Sequence, residues 1–236
     1  AKVAGVDWVD GVRREDFTLD VDKALNQIAD LQPALTFVTT PNNPTGTSVS
    51  ISDLEKLAAT CKSIDGLLVV DEAYAEFSSQ PSAITLIDKF PSLLVSRTMS
   101  KAFAFAGARV GYLAADRQVI DALQLVRLPY HLSALTQAAA EVALEFKVEL
   151  LSEVRQLSRD RDQMVADLRE LGLTVIPSDA NFLLFTGFKM PSHDLWQRLL
   201  AEGVLIRDVG LPGYLRVTIG NGAENRAFLT ALKGAL

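Results

Sequence analysis

The sequence predicts an α/β protein with a mostly parallel sheet in a large first part and a smaller α+β part at the C-terminus. Three observations predict it: short unbroken apolar runs that end in polar clusters, a helical segment between the first two runs, and a change of pattern beyond Gly172. The first run, LTFVTT from Leu35, is β-branched and closes on PNNPTG, whose prolines and glycine turn a strand into a tight loop. In the next segment Ser52-x-x-Glu55 has the form of a capping box, and Leu54, Leu57 and Ala58 recur at helical spacing to about Cys61. GLLVV from Gly66 lies between Asp65 and Asp71 as a continuous apolar run, the pattern of a strand buried on both faces of a parallel sheet. LLVSR from Leu93 repeats it. Strand, helix, strand and strand in this order favour parallel pairing, and in such sheets ligands sit at the carboxyl ends of the strands.

After Arg109-Val110-Gly111-Tyr112 a helix is expected from about Arg117. The segment from Leu132 to Leu171 has no Pro or Gly and is rich in Ala, Leu, Glu and Arg, which predicts one very long helix or two in succession. Up to Phe146 it is apolar and is expected to be buried; beyond, charge recurs on every turn, and this half is expected to link to another layer. Past Gly172 come short strands (LTVIP, NFLLF, YLRVTI), a helix from about His193 to Glu202, and a last helix over AENRAFLTALKGAL. The expected division is a large body over residues 1–146 and a small C-terminal domain over residues 147–236.

Composition narrows the function classes. Among 236 residues, 49% are apolar and 22% charged, ample for a large core. The 23 basic residues against 29 acidic ones give a net charge of -6, and no basic stripe exists to neutralise a phosphate backbone, so nucleic acid and anionic membrane are poor partners. Cys61 is the single cysteine and His131 and His193 are the two histidines, which leaves no internal disulfide and no ligand set for structural zinc. A cytoplasmic setting fits this usage. No apolar run approaches the roughly 18 residues of a membrane span, and AKVAGVDWVDG lacks the charged head and apolar stretch of a signal peptide. The sequence opens on Ala1 rather than Met, and its natural beginning is expected upstream.

Four polar clusters stand at strand ends: Asn42 and Asn43 in PNNPTG, Asp71 to Tyr74 in DEAY, Thr98 to Lys101 in TMSK, and Arg109 in GARVGY. Each has an ordinary structural reading. Pro-Asn-Asn-Pro makes a turn, Asp-Glu caps and charges a helix start, and Ser-Lys is solvated surface. Their occurrence together, each after its own strand, points to one shared site. Ser100-x-x-Phe103 with His131 makes no nucleophile triad, because no glycine elbow surrounds the serine, and Gly107 with Gly111 makes no dinucleotide-binding pattern.

PNNPTG, VVDEAY and SRTMSKAFAFAGARVGY together resemble the signature of the fold-type I pyridoxal-phosphate enzymes, the class I and II aminotransferases. Within that family RLPYHLSALTQAAA, SDANFLLF, VLIRD and LRVTIG are similar to the histidinol-phosphate aminotransferase group. The resemblance implies pyridoxal 5'-phosphate as cofactor and Lys101 as the lysine that carries its aldehyde and shuttles the substrate proton, a task that needs an amine unprotonated part of the time. It implies that Asp71 faces the pyridine nitrogen and keeps the ring an electron sink, and that Tyr74 and Asn43 bond the ring 3' oxygen. Thr98, Ser100 and Arg109 are implied as holders of the cofactor phosphate, Arg109 as a fork matched to a dianion. The run AFAFAGA before Arg109 and VGYLA after it argue in the same direction, since an unpaired charge among apolar neighbours is costly.

On the substrate side the resemblance implies Arg216 as the carboxylate-binding arginine, Arg207 as a second anion-binding residue, Tyr130 as an aromatic against the imidazole, and Asn181 near the carboxylate. An edge-strand charge remains open for Arg216, and packing or turn formation for Tyr130 and Asn181. The implied reaction moves an amino group between histidinol phosphate and 2-oxoglutarate, giving glutamate, in a homodimer. The family places its glycine-containing phosphate cradle, its ring-stacking aromatic and a tyrosine lent across the dimer upstream of the point matching Ala1, so the N-terminal part of the family fold is expected to be absent. An aromatic amino acid aminotransferase and a threonine-phosphate decarboxylase-like enzyme share the Lys101 and Asp71 chemistry. The cofactor-sensing domain of a transcription regulator shares the fold but requires a basic DNA-binding module.

Overall fold

In the computed structural model, which describes residues 2–236, α1 spans Val21–Leu31 and starts where the Asp20 carboxylate accepts the Lys23 amide, a side-chain cap on an otherwise orphaned donor. β1 (Leu35–Thr39) follows and runs into the PNNPTG loop. α2 (Ile51–Ser63) is capped by Ser50, whose hydroxyl accepts the Asp53 amide at 3.2 Å. The cap is thus two residues ahead of Ser52: Ser50 has the extended backbone a cap requires, while Ser52 is already inside the first turn. Leu54, Leu57, Ala58 and Cys61 form the buried face, as their spacing predicts.

β2 (Leu67–Asp71), β3 (Leu93–Thr98) and β4 (Gly111–Ala115) complete a four-stranded sheet in the order β1-β2-β3-β4. The first two pairings are parallel and the last is antiparallel. Asp71 lies in register with Thr39 on one side and Ser96 on the other, so the parallel pairing gathers the polar clusters at one end of the sheet. One face is sealed by Leu68, Val70, Leu93 and Val95 against α2. The expectation that GLLVV is buried on both faces is overturned for its alternate residues. Leu67 and Val69 are only half-buried and, with Leu35, Leu94 and Leu113, line an open apolar groove of about 630 Å³ beneath α3 (Arg117–Val126). Besides α3 along its rim, this face is met among the described residues only at its β1 edge, where the Trp8 ring lies 6.4 Å from the Phe37 ring and Arg13 reaches Thr39.

The segment without Pro or Gly is two helices, α4 (Ala134–Glu145) and α5 (Lys147–Glu170), with Phe146 between them. Burial of the apolar half is a second expectation overturned: only Ala143 of α4 is buried, and Leu135 is 84% exposed. An apolar helix is buried only where a neighbour covers it, and among the described residues α4 leans on little more than the start of α5 and a small cluster around Met99 and Val110. The charged α5 does the linking, burying Val154, Arg161, Met164 and Leu168 on one stripe.

β5 (Thr174–Val175), β6 (Phe182–Thr186) and β7 (Leu215–Thr218) form an antiparallel second sheet, with α6 (Ser192–Ala201) between β6 and β7 and α7 (Gly222–Ala235) after them. Its core packs Leu183, Phe185 and Val217 against Leu195, Leu199 and Phe228. A third cluster joins the two sheets. Tyr74, Phe77 and Ala102 from the first meet Ala180 and Phe182 from the second, with Val154 of α5 beneath them.

Candidate active site

The PNNPTG loop reaches from the end of β1 toward the second sheet. Its shape is held internally by Thr39 Oγ1 donating to Asn42 Oδ1 at 2.5 Å and Asn42 Nδ2 donating to Thr45 Oγ1 at 2.8 Å. Gly46 makes the approach to the second sheet possible. It has φ +80°, and a Cβ placed there would lie 2.6 Å from Ser178 Cβ and 3.0 Å from Ser178 Cα. The Gly46 carbonyl accepts the Asp179 amide at 2.9 Å. Asn43 is thereby carried to the boundary between the sheets, where its Nδ2 donates to the Tyr74 hydroxyl at 3.4 Å and its Oδ1 accepts from Arg216 Nη1.

Asn43, Tyr74 and Arg216 therefore form one connected group, although Arg216 is 173 residues away from Asn43 in sequence. Phe182 is its floor. The Tyr74 ring meets Phe182 edge-to-face at 5.1 Å, and the Arg216 guanidinium lies 4.7 Å from the Phe182 ring centre. Burial pushes the Tyr74 phenol above its ordinary value, with Arg216 acting against the shift and Asp71 adding to it. Burial also pulls Arg216 down; Tyr74 opposes this and the neighbouring Arg207 reinforces it. Arg216 Nε is buried with no hydrogen-bond partner, a cationic donor available to an anion.

Lys101 follows β3, with Nζ 5.8 Å from the Tyr74 ring centre. Its amine makes no hydrogen bond or ion pair among the described residues, while its backbone carbonyl accepts the Ala104 amide at 3.1 Å. Asp71 ends β2 half-buried, one oxygen accepting the Ala73 amide at 3.1 Å and the other carrying no partner among the described residues. Beyond them Thr98 Oγ1 donates to Ser100 Oγ at 2.9 Å and accepts the Ser100 amide at 3.1 Å. Arg109 occupies the left-handed region at φ +56° and is exposed, with Nη1 donating to the Ala106 carbonyl at 3.0 Å. The apolar surroundings expected for Arg109 are only partly buried: Ala102 sits in the core that joins the sheets and Phe103 and Phe105 pack against core residues, while Ala104, Ala106, Gly107 and Arg109 itself are exposed.

The substrate-side residues are gathered unevenly. Arg207 is exposed but exchanges both backbone hydrogen bonds with Arg216 at 2.9 Å, which sets the two arginines side by side. Asn181 precedes Phe182, and its carbonyl accepts the Ile219 amide at 2.9 Å; its side chain makes no hydrogen bond among the described residues. Tyr130 is 99% exposed and is not brought to the cluster. Sequence reasoning missed the group behind the site. Glu72, nearly fully buried, accepts from Arg97 Nε at 2.9 Å, from Ser82 Oγ at 2.7 Å and from the Ala83 amide at 2.6 Å, while Arg97 Nη1 reaches Glu76 at 2.8 Å. Burial alone would lower the Arg97 pKa, but the two carboxylates raise it. The triad ties the ends of β2 and β3 together directly behind Asp71 and Thr98. Its sequence signal was the second acid of DEAY and the arginine of SRT, each beside a residue already singled out.

A sheet with these clusters at its carboxyl ends and an arginine lent by a second sheet defines a class of protein. The chain belongs to the aminotransferase class I and II family, which it matches over residues 1–232. It is 56% identical over 226 residues to a histidinol-phosphate aminotransferase of Mycolicibacterium smegmatis, covering 95% of this chain and 59% of that protein. The chain thus spans about three fifths of the length of this curated relative. Among solved structures, the histidinol-phosphate aminotransferase of Clostridium acetobutylicum superposes with a TM-score of 0.91 at 25% identity, over 99% of this chain and 72% of that one. The Sinorhizobium meliloti histidinol-phosphate aminotransferase, in complex with pyridoxal-5'-phosphate, gives 0.83 at 26% identity over 96% and 63%. These likenesses support the α/β, fold-type I reading of the sequence. No helix among the described residues is long and apolar enough to cross a membrane.

Proposed function

We propose that this chain carries the catalytic lysine, the cofactor-ring contacts and the substrate arginine of a pyridoxal-phosphate-dependent histidinol-phosphate aminotransferase. The observation that supports the reading most directly is the convergence of Asn43, Tyr74 and Lys101, each following its own strand of the first sheet, with Arg216 from within β7, its Nε buried and unpartnered among the described residues. The residues fit the cofactor's chemistry: an unpaired amine, a carboxylate with one free oxygen, two donors on a single oxygen site and a hydroxyl pair beside an arginine. Bound pyridoxal 5'-phosphate supplies an aldehyde that takes up the amino group and a ring that accepts the electrons of the broken Cα–H bond.

In this reading Lys101 removes the proton from the substrate α-carbon and returns it one atom further along, general acid–base catalysis by one amine. Asp71 holds a proton on the ring nitrogen. Tyr74 and Asn43 donate to the ring oxygen, with the Tyr74 phenol kept neutral by burial. Thr98, Ser100 and Arg109 hold the cofactor phosphate. Arg216, with Arg207 beside it, binds the carboxylate of glutamate or 2-oxoglutarate in one half of the reaction and the phosphate of histidinol phosphate in the other, both fork-shaped anion partners. The large body over residues 1–146 and the small domain over residues 147–236 contribute the two sides, with Asn181 on the substrate side. A cytoplasmic homodimer completes the reading. Its supports are the lone buried thiol of Cys61 and the exposed large apolar side chains between α3 and α5, among them Leu125, Leu128, Leu135 and Phe146.

The test is borohydride reduction of the cofactor-loaded protein followed by peptide mapping, together with single-turnover amino transfer from histidinol phosphate. Label on Lys101 and a preference for histidinol phosphate over phenylalanine are expected. Label on Lys62 or Lys89 overturns the site, and a preference for phenylalanine overturns the substrate.

A further inference from the structure

We infer that Arg161 is a positioning residue that fixes the substrate side of the site against the cofactor side, an inference that rests on the function proposed above. Arg161 lies on α5, which packs on β5 and β6 of the second sheet and on the Ala75–Phe77 turn that follows β2, and it is one of the few buried charges among the described residues, 9% exposed. Its Nη1 donates to two carbonyls at once, Phe77 at 3.3 Å and Ala180 at 3.2 Å. Those carbonyls belong to opposite halves of the site. Phe77 ends the short turn that begins at Tyr74, and Ala180 stands two residues before Phe182. The Tyr74 and Phe182 rings meet edge-to-face at 5.1 Å, and Phe182 carries Arg216 on its face. Nε donates to Asp162 at 3.0 Å, so the neighbouring carboxylate aims the guanidinium fork.

The consequence is an asymmetry between the two binding functions. Asp71, Tyr74, Thr98, Ser100 and Lys101 all belong to the first sheet and its loops, and they keep their mutual geometry without Arg161. Arg216 and Phe182 belong to the second sheet, and their placement against Asn43 and Tyr74 depends on the register that Arg161 holds. A buried methionine of similar length fills the space but donates to neither carbonyl, leaving both without their charged partner. A displacement near 1 Å at the arginine is enough to cost binding or rate by up to about 100-fold.

The experiment compares wild type with Arg161→Met, Arg161→Gln and Arg161→Lys. In the ligand-free protein, hydrogen exchange is followed at the Ile219 amide, which donates to Asn181, and at the Ser78 amide, which donates to Ala75. With cofactor loaded, affinity is measured for pyridoxal 5'-phosphate and for maleate, a dicarboxylate without an amino group. Arg161→Met is expected to speed exchange at both amides by about tenfold or more, with α6 and α7 unchanged, and to weaken maleate about 10- to 100-fold while cofactor affinity stays within about threefold. Arg161→Lys keeps a charged donor and is expected to recover most of the loss. Should the Met variant not fold, Arg161→Gln is expected to show the same split at about threefold. Unchanged exchange at both amides overturns the inference, as does a parallel loss of cofactor and maleate affinity. A wild-type protein that takes no cofactor defeats the proposed function instead, and the exchange data still decide whether Arg161 holds the two segments together.

Discussion

Replacement of Gly46 by alanine tests how the two sides of the site are brought together. The backbone there has φ +80°, which an L-residue adopts at a cost of about 1–2 kcal/mol. The added methyl would lie 2.6 Å from Ser178 Cβ and 3.0 Å from its Cα, contacts that require backbone movement and add about 1–3 kcal/mol of overpacking. The sum, about 2–5 kcal/mol, is a large share of the roughly 5–15 kcal/mol that stabilises a folded protein. Urea unfolding read by linear extrapolation measures it. A cycle with Ser178→Gly separates the parts: removing the serine side chain relieves the contact with its Cβ but not the backbone strain. It also removes the bonds Ser178 Oγ makes to the Phe182 carbonyl at 2.6 Å and the Ala180 amide at 3.1 Å. A coupling of about 1–2 kcal/mol between the two substitutions is expected. A Gly46→Ala variant within about 0.5 kcal/mol of wild type would refute the close approach, and zero coupling would place the cost in the backbone alone.

Two further outcomes follow from the groups around the site. Glu72→Gln leaves Arg97 buried with Glu76 as its remaining carboxylate and should destabilise the protein by about 3 kcal/mol, whereas Glu72→Gln with Arg97→Met should recover part of that loss; thermal unfolding of the single and double variants decides it. Burial raises the Tyr74 pKa above 10, so the folded state holds this proton more tightly than the unfolded one. The stability it contributes is complete below pH 10 and is lost as pH rises through the folded value. An ultraviolet titration should show one of the four tyrosines ionising later than the ordinary phenol range, a delayed component that Tyr74→Phe removes, and its persistence in that variant would contradict the assignment.

Much of the first sheet was legible because its signals are local. Asp71, Thr98 and the PNNPTG loop sit at strand ends that apolar runs and turn residues mark, and parallel pairing then brings those ends together. The stretch before Leu35 carried no motif, and α1 with its Asp20 cap went unread. The choice of Ser50 over Ser52 as the cap of α2 depends on one backbone turn that spacing does not resolve. Contacts between the sheets were illegible for a different reason: the pairing of Arg216 with Asn43 spans 173 residues and that of Arg161 with Phe77 spans 84, separations over which no local pattern carries a signal. Arg161 sits in RDRDQ, in the charged half expected to link to another layer, but which of its charges is buried is decided only by Phe77 and Ala180. Periodicity likewise identified α4 as apolar but not whether anything covers it.

The contact between Arg216 and Asn43 explains why an amide, and not an acid, suits position 43. The two ends of the side chain are chemically opposite: the nitrogen donates to Tyr74 and the oxygen accepts from Arg216. A carboxylate there would satisfy the arginine with a full charge, and every incoming anion would have to break an ion pair before forming its own. An uncharged oxygen gives up the guanidinium at the cost of an ordinary hydrogen bond. The arginine is thus kept in place while the pocket waits, yet its charge remains unspent for the ligand.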